Sequence, residues 1–170
     1  MNPPTVALRP AERDDADFLF RVYADTRAEE LAPVPWTDEQ KEAFLRQQFL
    51  AQDAAYRENY PDAEFSIIER DGVPIGRPYL ATLDGNDRRI MDIALLAEHR
   101  NHGIGTELIR DVMTAADQDG MLVSLHVEFW NPALQLYERL GFHEAARNDV
   151  YIRMEREPAR PPEMPSEVTS

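Results

Sequence analysis

Ile93-Ala94-Leu95-Leu96-Ala97-Glu98-His99-Arg100-Asn101-His102-Gly103-Ile104-Gly105-Thr106-Glu107-Leu108-Ile109 is the stretch that decides how this chain folds. Its first residues are an apolar run that reads as a buried strand. Its last residues open a helix from about Gly105 to Asp119, with Leu108, Ile109, Val112 and Met113 facing inward. Between strand and helix lies a loop holding Gly103 and Gly105. A helix start leaves several backbone N–H groups without partners, with the positive end of the helix dipole behind them. Glycines let a bulky anion come close to that backbone. A phosphate or pyrophosphate is the natural occupant, and Arg100 adds one cation. A P-loop is excluded, because no Gly-Lys-Ser/Thr follows. A dinucleotide fold is disfavoured, because the preceding strands are hairpin-linked and a third glycine is absent. On these residues alone, a glycine-rich turn that merely reverses the chain stays open.

Working outward, Thr5 to Arg9 reads as an opening strand. Asp14 or Asp15 then stands where it can cap a helix carrying Phe18, Leu19, Val22 and Tyr23 at helical spacing. Pro33-Val34-Pro35 breaks the chain. Thr37-Asp38-Glu39-Gln40 is a capping-box pattern that opens a second helix, with Phe44, Leu45, Phe49 and Leu50 on one face. Pro61-Asp62 ends that region. Glu64–Arg70, the turn signal Asp71-Gly72 and Val73–Leu83 read as a hairpin. A second turn, Asp84-Gly85-Asn86-Asp87, leads into a strand over Arg89–Leu96.

Downstream, Gly120 stops the helix, and Met121–Phe129 is a strand that alternates Val123, Leu125 and Val127 against Ser124, His126 and Glu128. Pro132–Leu140 is a short helix ended by Gly141, and Val150–Arg156 is a last strand. The order β-α-α-β-β-β-α-β-α-β predicts an α/β single domain over residues 1–156, with flanking helices on a mixed, mostly antiparallel sheet. Strand–helix–strand alternation in the second half implies a locally parallel pair with a right-handed crossover. From Glu157 onward there are four prolines in 14 residues and no apolar period. Residues 157–170 are therefore expected to be a disordered Pro-rich tail.

Composition narrows the function. The 170 residues suffice for a core without disulfides or metals. With no cysteine, a thiol nucleophile, a disulfide framework and cysteine-ligated metal sites are excluded. A net charge of -14 argues against nucleic acid as a partner. It either steers a cationic amine or serves solubility alone. His99 and His102 are three apart with no third ligand at metal-site spacing, so no metal is expected. Met1-Asn2-Pro3-Pro4 lacks a basic segment ahead of an apolar run, and no stretch reaches the length of a membrane span. A cytoplasmic protein without membrane partners is the expectation, and a homodimer stays open.

The run from Ile90 to Gly105 resembles the acyl-CoA-binding motif of the GNAT superfamily of N-acetyltransferases. After the next strand comes Asn131-Pro132-Ala133-Leu134-Gln135-Leu136-Tyr137-Glu138-Arg139-Leu140-Gly141-Phe142. Its Asn…Ala…Leu-Tyr-Glu-x-Leu-Gly-Phe pattern is similar to the second half of the family's signature and far more specific than the glycine loop. The order of elements from about Val6 to Arg156 is similar as well. The resemblance implies the acyl-CoA N-acyltransferase fold, acetyl-CoA as co-substrate and a small-molecule or peptide amine as acceptor. Backbone groups of Leu95 and Leu96 would hold the pantetheine arm. N–H groups of His102, Gly103, Ile104, Gly105 and Thr106, with Arg100, would hold the pyrophosphate. Asn131 would contact the cofactor where its flanking strands splay, and Tyr137 matches the family's general acid. Two features depart from the pattern. Asn101 and His102 stand where the family often has Gly and a basic residue, and the Asn131-to-Tyr137 interval is one residue shorter than the commonest version.

The chemistry of transfer sets what else is needed. A lysine-like amine of pKa ~10.4 is neutral less than about 0.1% of the time at pH 7, so a base must take its proton. Attack on the thioester creates an oxyanion, which N–H groups of the strand near Leu95 would stabilise. A thiolate of pKa ~8.5, if cysteine-like, then leaves and needs a proton. A phenol can supply it, which is the role assigned to Tyr137. Asp92, Glu128 and His126 are all candidates for the base, and Trp130 for a wall of the acyl site. By family analogy the segment from Glu29 to Tyr60 borders the amine site, making Glu29, Glu30, Tyr56 and Tyr60 substrate candidates. A non-catalytic acyl-CoA-binding sensor or interaction module of the same fold is the alternative.

Overall fold

Asp71 and Gly72 adopt positive φ angles of 52° and 83°, the pair of left-handed residues that a two-residue hairpin of matching twist requires. In the computed structural model, which describes residues 6–159, they join β2 (Glu64–Arg70) to β3 (Val73–Leu83) as an antiparallel pair. β1 (Val6–Pro10) adds antiparallel to the other side of β2, Val6 opposite Arg70. The remaining strands are β4 (Asp87–Leu95), β5 (Leu122–Glu128), β6 (His143–Arg147) and β7 (Tyr151–Arg156). The seven-stranded sheet has the order β1-β2-β3-β4-β5-β7-β6. Its helices are α1 (Ala16–Leu31), α2 (Asp38–Asn59), α3 (Ile104–Gln118) and α4 (Ala133–Arg139). The α/β architecture with a mostly antiparallel sheet is the one the sequence predicts. Among the described residues no helix is long and apolar enough to cross a membrane.

The described residues form two compact units, 6–81 with 91–107 and 82–90 with 108–159, so β4 and α3 contribute to both. In the first, Leu19, Phe20 and Tyr23 of α1 and Leu45 and Phe49 of α2 bury against Ile67 and Tyr79. Phe20 meets Phe49 edge-on at 5.8 Å between ring centres, and Phe65 meets Tyr79 at 4.8 Å, a preferred geometry for aromatic pairs. The capping box forms as expected: the Thr37 hydroxyl accepts the Gln40 N–H at 3.1 Å, and the Gln40 side chain accepts the Thr37 N–H at 2.9 Å. Leu45 and Phe49 are buried, but Phe44 packs at the periphery against Trp36 and Leu50 is 64% exposed. Phe44 and Leu50 flank the i, i+4 row of Leu45 and Phe49 rather than lying in it.

The start of α1 departs from expectation. Asp15 precedes the helix, but no side chain caps it. The carboxylate turns back instead, accepting two guanidinium bonds from Arg9, each 2.8 Å, and the Glu12 N–H at 2.7 Å. A bidentate charged chelate is stronger than one cap bond to a neutral amide.

In the second unit the β4–β5 ladder is parallel, pairing Asp87–Ile90 with Leu122–Leu125, and both strands run on past it. β7 pairs antiparallel with β5, Glu128 opposite Tyr151, and β6 pairs antiparallel with β7. Strand β6 is absent from the sequence-based order. All five of its residues are exposed, so no apolar alternation marks it; it exists through its ladder with β7. Ser124, expected on the outer face, is fully buried. Its hydroxyl donates to Asp87 and accepts from Arg89 Nε at 2.7 Å, which ties β4 and β5 in register. Of the expected tail, residues 157–159 carry no regular element, and Ala159 N–H donates to Asp117 at 2.9 Å. Residues 160–170 lie outside the described part.

Candidate active site

Strand β4 ends at Leu95, and the chain passes through a single 3-10 turn (Ala97–His99) into the glycine loop. Much of the backbone here is already engaged. Leu96 N–H donates to the Ile75 carbonyl at 2.9 Å, the Leu96 carbonyl accepts the His99 N–H at 2.9 Å, and the Leu95 carbonyl accepts Arg100 Nε at 2.9 Å. Strand β3 comes unusually close at Gly76. A Cβ there would sit 2.3 Å from the Ala94 carbonyl oxygen and 2.8 Å from a Leu95 side-chain carbon, so only glycine fits.

In the loop itself Asn101 and Gly103 have φ of 63° and 81°. Asn is among the few side chains that tolerate the left-handed region, so Asn101 can stand where the family it resembles often has glycine. The first intrahelical bond of α3 runs from the Glu107 N–H to the Gly103 carbonyl at 3.0 Å. The amides ahead of it, Ile104, Gly105 and Thr106, therefore have no intrahelical acceptor. A Cβ built at Gly103 or Gly105 meets no atom within 4 Å. The loop thus offers bare backbone donors at a helix N-terminus, and these residues fit a pyrophosphate.

Arg100 is less available than its sequence position suggests. Besides its bond to Leu95, its NH2 lies 3.5 Å from Asp25 and is buried without a hydrogen bond. His102 is exposed in the loop, and His99 Nδ1 is buried without a hydrogen bond.

In the second unit, Asn131 follows β5 and spends its carboxamide locally. Its Oδ1 accepts the Ala133 N–H at 2.9 Å, which starts α4, and its Nδ2 donates to Glu128 Oε2 at 3.0 Å. Tyr137 sits one turn further along α4. That helix ends where Gly141 takes φ 99° and the Phe142 N–H returns to the Tyr137 carbonyl at 3.0 Å. Phe142 is buried, its ring 5.9 Å from that of Tyr137. The Leu-Gly-Phe part of the signature is therefore a helix C-terminus: a left-handed glycine followed by an apolar anchor. Phe129 and Trp130 stack edge-on at 4.8 Å and remain 50% and 61% exposed.

The three base candidates have different partners. Asp92 Oδ2 takes two guanidinium donors of Arg77, Nε at 2.8 Å and NH2 at 2.7 Å. Arg77 is buried and also reaches Gln52 at 3.1 Å and the Tyr79 hydroxyl at 3.4 Å. His126 Nδ1 lies 3.3 Å from Arg89 NH1. Guanidinium only donates, so Nδ1 is the acceptor and the proton of the neutral ring sits on Nε2. Partial desolvation, with help from Arg89 and Arg153, lowers the His126 pKa. Glu128 is oriented by the neutral amide of Asn131, with Oε1 outside that bond.

Among the substrate candidates, Glu29 and Glu30 are exposed late in α1, and Glu30 pairs with Arg27 at 3.4 Å. Tyr56 packs edge-on against Tyr79 at 5.9 Å, and burial pushes its hydroxyl pKa up to about 12, with Asp92 adding to the rise. Tyr60 ends α2, its N–H returning to the Tyr56 carbonyl at 2.8 Å. Sequence reasoning missed Gly76, Arg77 and Asp25. A glycine inside a strand does signal close backbone approach; Arg77 and Asp25 carry no local mark.

The sequence matches the acetyltransferase (GNAT) family over residues 22–142. The chain belongs to that family. No curated protein matches it in sequence. Solved structures share its fold. The PaiA N-acetyltransferase from Thermoplasma acidophilum, determined in complex with coenzyme A, aligns with a TM-score of 0.67 at 18% identity, over 90% of this chain and 99% of that one. An acetyltransferase from Thermus thermophilus gives 0.65 at 19% identity, over 90% and 97%. The ribosomal-protein-S18-alanine N-acetyltransferase from Escherichia coli gives 0.62 at 19% identity, over 94% and 97%.

Proposed function

We propose that this chain is an acetyl-CoA-dependent N-acetyltransferase, its catalytic domain ending near Arg156, that moves the acetyl group to a primary amine of a small molecule or peptide by direct attack on the thioester. The observation that supports it most is the loop before α3, where left-handed Asn101 and Gly103 precede three amides without intrahelical acceptors. Backbone donors of that kind suit the pyrophosphate of coenzyme A. Family membership makes acyl transfer the chemistry to expect.

Within this reading Glu128 takes one proton from the substrate ammonium, directly or through water, and the neutral amine attacks the thioester. The Glu128 carboxylate is held by the neutral Asn131, whereas Asp92 is held by Arg77 and the His126 acceptor nitrogen faces Arg89. The Leu95 N–H stabilises the oxyanion, since the Leu96 N–H is bonded to the Ile75 carbonyl and the Ala97 N–H to Asp25. Tyr137 gives its phenolic proton to the departing thiolate and is reprotonated by the second proton that the nitrogen loses as the amide forms, so amide and free thiol leave with one net proton, held on Glu128. Asn131 serves both residues, starting the helix that carries Tyr137 and orienting Glu128.

The test is thiol release from acetyl-CoA across a panel of primary amines. Glu128→Gln and Tyr137→Phe should each lower turnover by roughly 10- to 1000-fold, the range for acid–base groups, while calorimetric affinity for acetyl-CoA stays near that of the wild type. Binding without release on any amine would favour the sensor module instead. No binding at all would end the reading.

A further inference from the structure

Asp25 lies on α1, one turn beyond Arg21, and its carboxylate reaches out of the helix to the segment between β4 and the glycine loop. Asp25 Oδ2 accepts the Ala97 N–H at 2.6 Å and stands 3.5 Å from Arg100 NH2. Arg100 in turn donates through Nε to the Leu95 carbonyl at 2.9 Å, and its own N–H returns to the Ala97 carbonyl at 3.2 Å. One carboxylate therefore ties the first residue of the turn after the strand to the residue that opens the glycine loop. Beside it, fully buried Val22 packs on Ala94 and Leu96. Arg21 meets Glu98 at 3.5 Å, both exposed, a contact of little energy. The α1 residues 18, 21, 22 and 25 lie at i, i+3, i+4 and i+7, one face of a helix, and that face supports the segment 94–100.

The geometry points to Asp25 as a positioning residue for acyl-CoA binding. It sets the strand end and the loop before the carrier arrives, and it draws the Arg100 guanidinium inward as a brace. The phosphates are then met by backbone amides of the loop and not by Arg100. Two facts set this apart from an ordinary surface pair. The bond to Ala97 is short and charge-assisted, the stronger kind of hydrogen bond. Arg100 NH2 is buried, so its charge is turned toward Asp25 inside the loop. The proposal rests on reading residues 95–106 as the acyl-carrier loop.

The experiment combines calorimetric binding of acetyl-CoA with amide hydrogen exchange in the ligand-free protein. Asp25→Ala should raise the Kd about tenfold or more, the size expected for losing a hydrogen bond to a charged group, and should speed exchange at the Ala97 amide. Asp25→Asn should restore most of the exchange protection, because its side-chain oxygen can still accept from Ala97, but only part of the affinity, because the charge facing Arg100 is gone. Arg100→Ala should also weaken binding, and the Asp25→Ala/Arg100→Ala double variant should be little worse than the weaker single one, as for two residues acting as a unit. Asp25→Ala binding as tightly as the wild type would overturn the proposal. So would multiplicative losses together with a flattened salt dependence in Arg100→Ala, the mark of direct phosphate contact by that guanidinium. If the wild type itself does not bind acetyl-CoA, the functional reading fails and takes this proposal with it. A wild type that binds, beside an indifferent Asp25→Ala, refutes the positioning role alone.

Discussion

At the scale of single residues, backbone conformation explains what composition could not. Asn101 was a departure from a family pattern when read as a letter; its φ of 63° makes it a stand-in for glycine. Asn101→Gly should leave the urea midpoint nearly unchanged. Asn101→Val should cost about 1–2 kcal/mol, because a β-branched side chain is poorly tolerated in that region; equal midpoints for the two variants would show that the loop does not need the conformation. Gly76 makes a sharper case. The atom a methyl group would strike is the Ala94 backbone carbonyl, 2.3 Å away, which cannot rotate aside. Gly76→Ala should therefore lower the melting temperature and raise the acetyl-CoA Kd together, since the displaced segment leads into the glycine loop. The sequence marked the loop because its glycines and helix start are contiguous. It was silent on Asp25, whose partner Ala97 is 72 residues away. A lone aspartate on a helix has no pattern until the chain has folded.

Elements were legible wherever local chemistry closes on itself. The Asp71-Gly72 turn fixes both strands beside it, and the Thr37–Gln40 box fixes the start of α2. Gly141 and Phe142 end α4 at the point the motif predicts. Thr37→Ala should cost about 1 kcal/mol in chemical denaturation, the usual worth of an N-cap, without changing acetyl-CoA affinity. A larger loss would mean that the turn after Pro35 packs in a way the capping bonds do not explain. Elements were illegible where the partner is distant. β6 has five exposed residues and exists only by pairing with β7. Asp15 looks like a cap in sequence, yet Arg9 captures it. Ser124 looks outward by alternation, yet Asp87 and Arg89 draw it into a buried network. In each case a charged or hydrogen-bonded contact from another strand overrides the local period.

For the whole molecule, acid response tests these long-range pairs together. With a net charge of -14, general repulsion falls as carboxylates protonate, and that alone would stabilise the protein on acidification. The specific groups act the other way. Partial desolvation, then nearby Arg89 and Arg153, lower the pKa of His126, so its folded value lies below 6.5. Unfolding lets it protonate, and its contribution is full above pH 6.5 and declines as pH falls below that value. Asp15 is lowered from 3.8 to about 2, first by its bonds from Arg9 and then by the Glu12 N–H. Asp117 is lowered chiefly by Arg156, with the Ala159 N–H assisting. Both contribute above pH 4, and the contribution is lost as pH drops through their folded values. Because repulsion and pairing oppose each other in the wild type, the informative quantity is the difference from a variant that lacks one pair. Asp15→Asn should be clearly less stable than wild type in urea at pH 7, and the gap should narrow between pH 4 and pH 2, where the native carboxyl also becomes neutral. The two curves then converge. A gap that stays constant down to pH 2 would mean that Arg9 holds residue 15 through geometry that does not depend on its charge.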